Sequence, residues 1–367
     1  MTDGTTQSHG FPHAARERLS IIIVGASLGG LATALALKRL PAPHGHTITL
    51  LERNPTALLH NQGAGIVAGG DTLAFFKRYD RCKRDLAVTS TQRQYLNKHG
   101  QVIHKQDVTL NMTSWDLAYY MLRANVDGIE SDYCDTPHDQ DSGSKITHLH
   151  GHKVVELQDK GNKLVVKYET SDGSTGEMEA DLVIGADGPS STVRSLLTTG
   201  IERTYAGYVA LRGTVPENSN APPGKIDLQA WEKQRKIASE RLPPQFAEIV
   251  KVTEKPFVQA ITDVVAPTNE FMSGRVILIG DALAGFRPHT AASTSQACFD
   301  AMILADMIEG KVSRSDWKKK TLGYARTLQK RGVDMGERSQ HQDLPLEEHI
   351  RDRNLASKPR VEETWPE

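Results

Sequence analysis

From residue 20 the chain reads Ser-Ile-Ile-Ile-Val, then Gly-Ala-Ser-Leu-Gly-Gly, then an apolar-rich run that stops at Pro41. A β-branched run closed by glycine predicts a buried strand over Ile21–Val24. The spacing beyond it predicts a helix over Leu28–Leu40, ended by the proline. The 18 uncharged residues from Ser20 to Leu37 have membrane length. Glycines at 25, 29 and 30 divide them into strand and helix, so no membrane span is expected. Further along, the pattern predicts a strand over Thr47–Leu51 ending at Glu52, and helices over Thr72–Tyr79 and Trp115–Ile129. A hairpin, Lys153–Leu157 with Lys163–Tyr168, turns around Lys160-Gly161-Asn162. Short strands follow over Leu182–Ile184 and Val276–Ile279, with helices over Trp231–Leu242 and Ser295–Glu309. The acidic stretch 130–145 and the charged stretch beyond about 338 read as exposed. Strands alternating with helices imply a parallel α/β sheet.

Composition narrows the function. The 367 residues allow one large domain or two ordinary ones. Lys plus Arg is 44 against 45 for Asp plus Glu, a net charge of −1. A dedicated nucleic-acid binder carries a basic excess, so no nucleic-acid partner is expected. The three cysteines are few, odd in number and far apart, which supports neither a disulfide framework nor a zinc cluster. They fit a reducing, cytoplasmic setting. The polar residues 1–18 read as a flexible tail.

The turn Gly25-Ala26-Ser27-Leu28-Gly29-Gly30 sits between strand and helix and approximates Gly-x-Gly-x-x-Gly, with Ser27 in the second glycine's place. Gly25 permits the tight turn, Ser27 must let the backbone approach a pyrophosphate, and Gly30 lets helix pack on strand. The helix N-terminus then offers free amides to phosphate. Glu52, at the end of the next strand, is placed to bind ribose hydroxyls. The same residues also fit Gly-x-Ser-x-Gly, the nucleophile elbow of a hydrolase that would use Ser27. That elbow normally follows several strands; here it follows the first. His148, His150 and His152 alternate, which places three imidazoles on one solvated strand face. Tyr79-x-x-x-Lys83 comes too early in the chain for a dehydrogenase pair. Lys318–Lys320 reads as a solvated helix face.

Two more motifs complete the pattern. Asp181-Leu-Val-Ile-Gly-Ala-Asp187-Gly188-Pro189 is a strand entering Asp-Gly, and Gly274-Arg-Val-Ile-Leu-Ile-Gly280-Asp281-Ala282 is a strand entering Gly-Asp. With the glycine turn, in this order, they resemble the FAD-dependent aromatic hydroxylases, single-component flavoprotein monooxygenases of the para-hydroxybenzoate hydroxylase fold. Gly63–Val67, Thr113–Asp116, Gly207–Ala210 with Arg212-Gly213, and Arg287–Ala292 look like the 2,6-dihydroxypyridine hydroxylase branch.

The resemblance implies a Rossmann-like FAD-binding domain over 19–80, 111–200 and 271–310. A reduced, interleaved α+β substrate domain would take 81–110 and 201–270, and a C-terminal helical, charged tail 311–367. It implies that Gly25, Ser27 and Gly30 hold the FAD pyrophosphate, that Glu52 binds the adenosine ribose, and that Arg53 lies near the adenine. Asp187 would support the pyrophosphate and the nicotinamide approach, and Asp281 would bind the ribityl chain. Pro288 and the helix start with Ser293 would flank the ring. His289, Tyr208 and Arg212 are the candidates for the substrate side. The implied reaction uses NADPH or NADH and molecular oxygen to hydroxylate an aromatic or heteroaromatic small molecule through a C4a-hydroperoxyflavin.

Several positions depart from the family. Ala284 stands where a histidine is usual, Ala291-Ala292-Ser293 replaces a Gly-x-Gly, and Trp115 replaces an FAD-contacting arginine, for which Arg123 is the substitute. Glu217 passes by a short linker to Lys225 where relatives carry several tens of residues of antiparallel sheet. That gap predicts an open sheet edge and an unroofed pocket. It leaves open an FAD-binding protein without productive hydroxylation. A flavin-dependent halogenase is a further alternative, but Trp115, Trp231, Trp317 and Trp365 never pair as Trp-x-Trp.

Overall fold

In the computed structural model the first strand spans Ser20–Val24 and the helix after the glycine turn spans Leu28–Lys38. The structure describes residues 18–41, 45–56, 65–138, 143–213, 228–253, 256–340, 345–348 and 350–351. The N-terminal tail up to 17, the linker at 218–225 and the chain beyond 351 lie outside the described residues.

Among the described residues, the central sheet has six strands in the order Glu270–Phe271, Val276–Leu278, Leu182–Gly185, Ser20–Val24, Thr47–Glu52, Lys145–His150. All neighbours are parallel except the edge strand Glu270–Phe271. The first strand lies centrally and buries both faces. Ile21 and Ile23 face helices Leu28–Lys38, Trp115–Asp127 and Ser293–Ile308, while Ile22 and Val24 face the opposite core. That second core is closed by an antiparallel sheet of His152–Asp159, Leu164–Thr170 and Thr175–Ala180. Ile21, Ile22 and Ile23 are at most 2% exposed, and burying each such side chain contributes about 1.5–3 kcal/mol.

Local chemistry sets the helix ends. The first helix stops at Lys38 rather than Leu40, because Pro41 disfavours helical backbone in the residue before it. Helix Trp115–Asp127 is capped by Ser114, whose Oγ accepts from the Leu117 amide at 3.1 Å, and ends at Gly128 with φ +68°. It stops two residues short of the predicted Ile129.

Three features depart from the sequence reading. The histidines do not share one strand: Gly151, with φ +71°, breaks it after His150, and His152 opens the next strand against Tyr168. Nor is that face solvated, since the His148 side chain is 5% exposed and meets Asp127. The hairpin Val88–Leu96 and Val102–Ser114 and the helix Pro244–Val252 escaped the pattern because they are largely exposed and lack a clean apolar period. Beyond 311 the chain forms a 27-residue helix, Arg314–Gln340, that buries Trp317, Tyr324, Ala325 and Leu328. Trp317 is 1% exposed. Trp317→Ala is therefore expected to cost about 3–5 kcal/mol, read as a lower urea midpoint with an unchanged slope. A midpoint near wild type would mean that this helix is not part of the core.

Candidate active site

The glycine turn is shaped by close approach. Gly25 has φ +95°, and a Cβ on it would lie 2.6 Å from the Ala186 carbonyl oxygen. A Cβ on Gly30 would lie 1.9 Å from the Gly25 carbonyl oxygen. Ser27 is the N-cap, in extended conformation, and no side chain caps the helix. The first-turn amides therefore face outward as donors. Glu52 is bound into the turn: Oε2 accepts from the Ala26 amide and Oε1 from the Asn54 amide, each at 2.9 Å. Arg53 is exposed beside it.

The Asp-Gly loop is self-capped. Asp187 Oδ1 accepts from Ser191 Oγ at 2.5 Å, and Oδ2 accepts from the Thr192 and Val193 amides at 2.6 and 3.1 Å. Both oxygens thus hold the start of helix Thr192–Leu197. Buried Arg194 joins this loop to the Gly-Asp turn, donating to the Pro189 carbonyl at 2.6 Å and the Ala282 carbonyl at 2.7 Å.

The Gly-Asp turn presents a different kind of carboxylate. Burial pushes Asp281 up to about 6, opposed by a hydrogen bond from Ser293 and the nearby Arg194. Its Oδ1 is buried without a hydrogen-bond partner among the described residues, an expensive state unless a ligand supplies a donor. Asp300, fully buried behind it, accepts from the Gly280 amide at 2.9 Å, and burial pushes its carboxyl up to about 7.

A cavity of about 310 Å³ lies where these parts meet, lined among others by Ser27, Trp115, Arg212, Asp281, Pro288 and Ser293. Two helix N-termini face it, at Leu28–Gly29 and at Ser293–Thr294, and neither has a side-chain cap. Ala291 occupies the left-handed region at φ +51°, a strain of about 1–2 kcal/mol. Of the sequence candidates, Ser27, Asp281, Pro288, Ser293 and Arg212 line the cavity, and Gly25, Gly30 and Asp187 shape its walls from behind. Tyr208 and His289 do not line it. They pair with each other, Tyr208 Oη to His289 Nε2 at 2.5 Å, next to the Arg287–Asp263 ion pair. Arg123 is no substitute for an FAD-contacting arginine: it is 1% exposed and engaged by Tyr119 and Asp127.

Sequence reasoning missed Arg203, which lines the cavity and joins its two walls by donating to Ser190 Oγ at 2.8 Å and Thr262 Oγ1 at 2.9 Å. It also missed Asp300. Neither sits in a spaced motif, so only the fold reveals them.

The residues present fit FAD. An unpaired buried acceptor at Asp281, a turn with no room for side chains, and two uncapped helix N-termini match a ribityl hydroxyl, a pyrophosphate and an electron-rich ring edge. Convergence of all three on one cavity defines a Rossmann-type flavoprotein. A family model described as "FAD binding domain" matches residues 18–220, and one described as "FAD binding domain-like" matches 218–263. The chain belongs to the FAD binding domain family.

Among curated proteins it is 26% identical to 2,6-dihydroxypyridine 3-monooxygenase of Paenarthrobacter nicotinovorans, covering 88% of this chain and 91% of that protein. It is 25% identical to 6-hydroxynicotinate 3-monooxygenase of Pseudomonas fluorescens, covering 78% and 81%. The structure of 2,6-dihydroxypyridine-3-hydroxylase from Arthrobacter nicotinovorans superposes with a TM-score of 0.70 at 22% identity, covering 88% of this chain and 93% of that one, which shows the shared fold. The alignment with the first relative runs over 392 positions, longer than the whole chain of 367 residues. That relative therefore carries segments with no counterpart here. The family match covers the strand and turn around Ser27, which favours the dinucleotide turn over the hydrolase elbow. Among the described residues no helix is long and apolar enough to cross a membrane.

Proposed function

We propose that the chain hydroxylates an aromatic or heteroaromatic small molecule, using FAD, NADPH or NADH, and molecular oxygen. The observation that carries this is the buried, unpartnered Asp281 Oδ1 at a cavity faced by two uncapped helix N-termini. Bound FAD supplies hydride acceptance from the nicotinamide and oxygen activation. The protein supplies placement. Gly25, Ser27, Gly30 and the amides after them hold the pyrophosphate, and Glu52 the ribose, with Arg53 on the adenine side. Asp281 accepts from a ribityl hydroxyl while Ser293 fixes its orientation. Asp187 keeps the Asp-Gly loop in register with that turn. Pro288 and the amides at Ser293–Thr294 meet the ring edge and stabilise negative charge there. Arg212 reaches the substrate side of the cavity as a cation for an electron-rich ring oxygen. The Tyr208–His289 pair sits one residue from Pro288 and can pass a proton between phenol and imidazole. The few, odd-numbered cysteines of the sequence support a reducing, cytoplasmic setting.

A second reading has an observation of its own. Strands Thr204–Arg212 and Phe257–Val265 present Tyr205, Val209, Leu211 and Val258 to solvent, each 42–55% exposed. Hydroxylation needs water excluded from the ring, and this bare sheet face favours nicotinamide oxidation with oxygen reduced to peroxide. The test is the visible spectrum of the purified protein with and without added FAD, followed by nicotinamide oxidation with hydroxypyridine and hydroxynicotinate-type rings. Stoichiometric hydroxylated product supports the hydroxylase. Oxidation with peroxide and no product supports the second reading. A colourless protein that takes up no FAD removes both.

A further inference from the structure

Four aromatic rings run in contact from the cavity into the protein body. Trp115 lines the cavity and stacks on Tyr119, with centroids 4.6 Å apart and planes 15° from parallel. Tyr119 meets Tyr120 edge-on at 5.3 Å, and Tyr120 stacks on Tyr133 at 4.9 Å with planes 3° apart. Tyr119 and Tyr120 are each 1% exposed, whereas the end members Trp115 and Tyr133 are half-buried. The line thus starts at the cavity, passes through two buried rings and ends at the half-buried Tyr133.

Packing preference accounts for rings in contact. It does not account for the chemistry at their hydroxyls. A phenol yields an electron readily when a base stands ready to take its proton. Tyr119 has the opposite neighbour, since its oxygen accepts from the Arg123 guanidinium at 2.6 Å. Burial pushes Tyr120 up to about 12 and raises Tyr119 and Tyr133 as well. Tyr133 differs from Tyr119 in having a base: its hydroxyl donates to Asp116 Oδ2 at 3.4 Å, and Asp116 Oδ1 is buried without a partner among the described residues. A proton acceptor with spare capacity therefore stands at Tyr133, the last ring of the line.

We propose that Trp115, Tyr119, Tyr120 and Tyr133 form an electron-transfer chain that carries an oxidising equivalent out of the cavity to Tyr133. The proposal rests on the reading that the cavity holds FAD. The oxidant is light-excited oxidised FAD, which takes one electron from the Trp115 indole and is reduced by one electron. Trp115 is refilled by an electron from Tyr133 that crosses the packed Tyr119 and Tyr120 rings in one transfer. At Tyr133 the phenolic O–H bond breaks, the proton passes to Asp116 Oδ2, and a neutral tyrosyl radical remains. Tyr119 and Tyr120 bridge the transfer and are not themselves oxidised.

The test uses the FAD-loaded protein under blue light without oxygen. Flavin emission is expected to be strongly quenched, with a tyrosyl signal by electron paramagnetic resonance. Trp115→Phe should raise emission several-fold per bound flavin. Tyr133→Phe should leave emission quenched, abolish the tyrosyl signal and speed return of the electron from flavin. Asp116→Asn should match Tyr133→Phe in the radical signal, because the base is gone while the ring remains. A yellow protein with unquenched emission, or emission unchanged in Trp115→Phe, overturns the chain, as does a tyrosyl signal that survives in Tyr133→Phe. A colourless protein overturns the flavin reading, and the chain with it.

Discussion

Gly30→Ala is expected to abolish FAD binding and to destabilise the protein by more than about 4 kcal/mol, in the exceptional range for one substitution. The added methyl would lie 1.9 Å from the Gly25 carbonyl oxygen, which is backbone and is held where the strand enters the turn. Relief requires moving the helix off the central strand, and Ile21 and Ile23 pack against that helix layer. Gly29→Ala is the control. Its methyl would meet the Ala297 Cβ at 3.6 Å, an ordinary contact, so the apoprotein should gain up to about 1 kcal/mol from helix propensity. Urea denaturation and FAD titration of both variants check the pair. Equal stability of the two would mean that the turn does not hold the described geometry.

Asp281→Ala should weaken FAD binding by about 10- to 100-fold, the loss of a hydrogen bond to a charged acceptor. Ser27→Ala should change it only a few-fold, because the amides after Ser27 remain. Flavin absorbance retained after gel filtration, with fluorescence titration for the constants, separates the two; equal retention would assign Asp281 another role. The apoprotein carries a pH signature of the same residue. Folded Asp281 keeps its proton up to about pH 6, whereas an unfolded aspartate releases it near 3.8. Between these values the folded state binds more protons than the unfolded one, so stability falls as pH rises through that window, and the deficit persists above it. Asp281→Asn should therefore raise apoprotein stability above pH 6, by up to about 3 kcal/mol for two units of displacement. The gain should shrink towards pH 4. Thermal melts at several pH values read it directly, and a gain independent of pH would exclude the carboxylate as its source.

Much of the site was legible because its chemistry is local. Gly25, Ser27 and Gly30 lie within six residues of one another, so spacing marked them, whereas Asp187 and Asp281, each closing a short β-branched strand, were named from the resemblance. Tyr208 and His289 were named separately from two motifs. Their 2.5 Å contact, and their position outside the cavity lining, depend on how the sheet meets the Pro288 turn. Arg203 carries no motif and gains meaning only by spanning Ser190 and Thr262. The histidine run was misread because Gly151 takes a positive φ that alternation along the sequence does not encode.

The sequence by itself determined the alternation of strands and helices, the strand-turn-helix that opens the fold and the three short motifs, because each depends on residues close in the chain. Tertiary structure alone decided which side chains reach the cavity, that helix Arg314–Gln340 belongs to the core, and that Asp281 and Asp300 hold protons far above the ordinary aspartate range. Those properties arise from desolvation and from contacts between residues distant in sequence, and both exist only once the chain has packed.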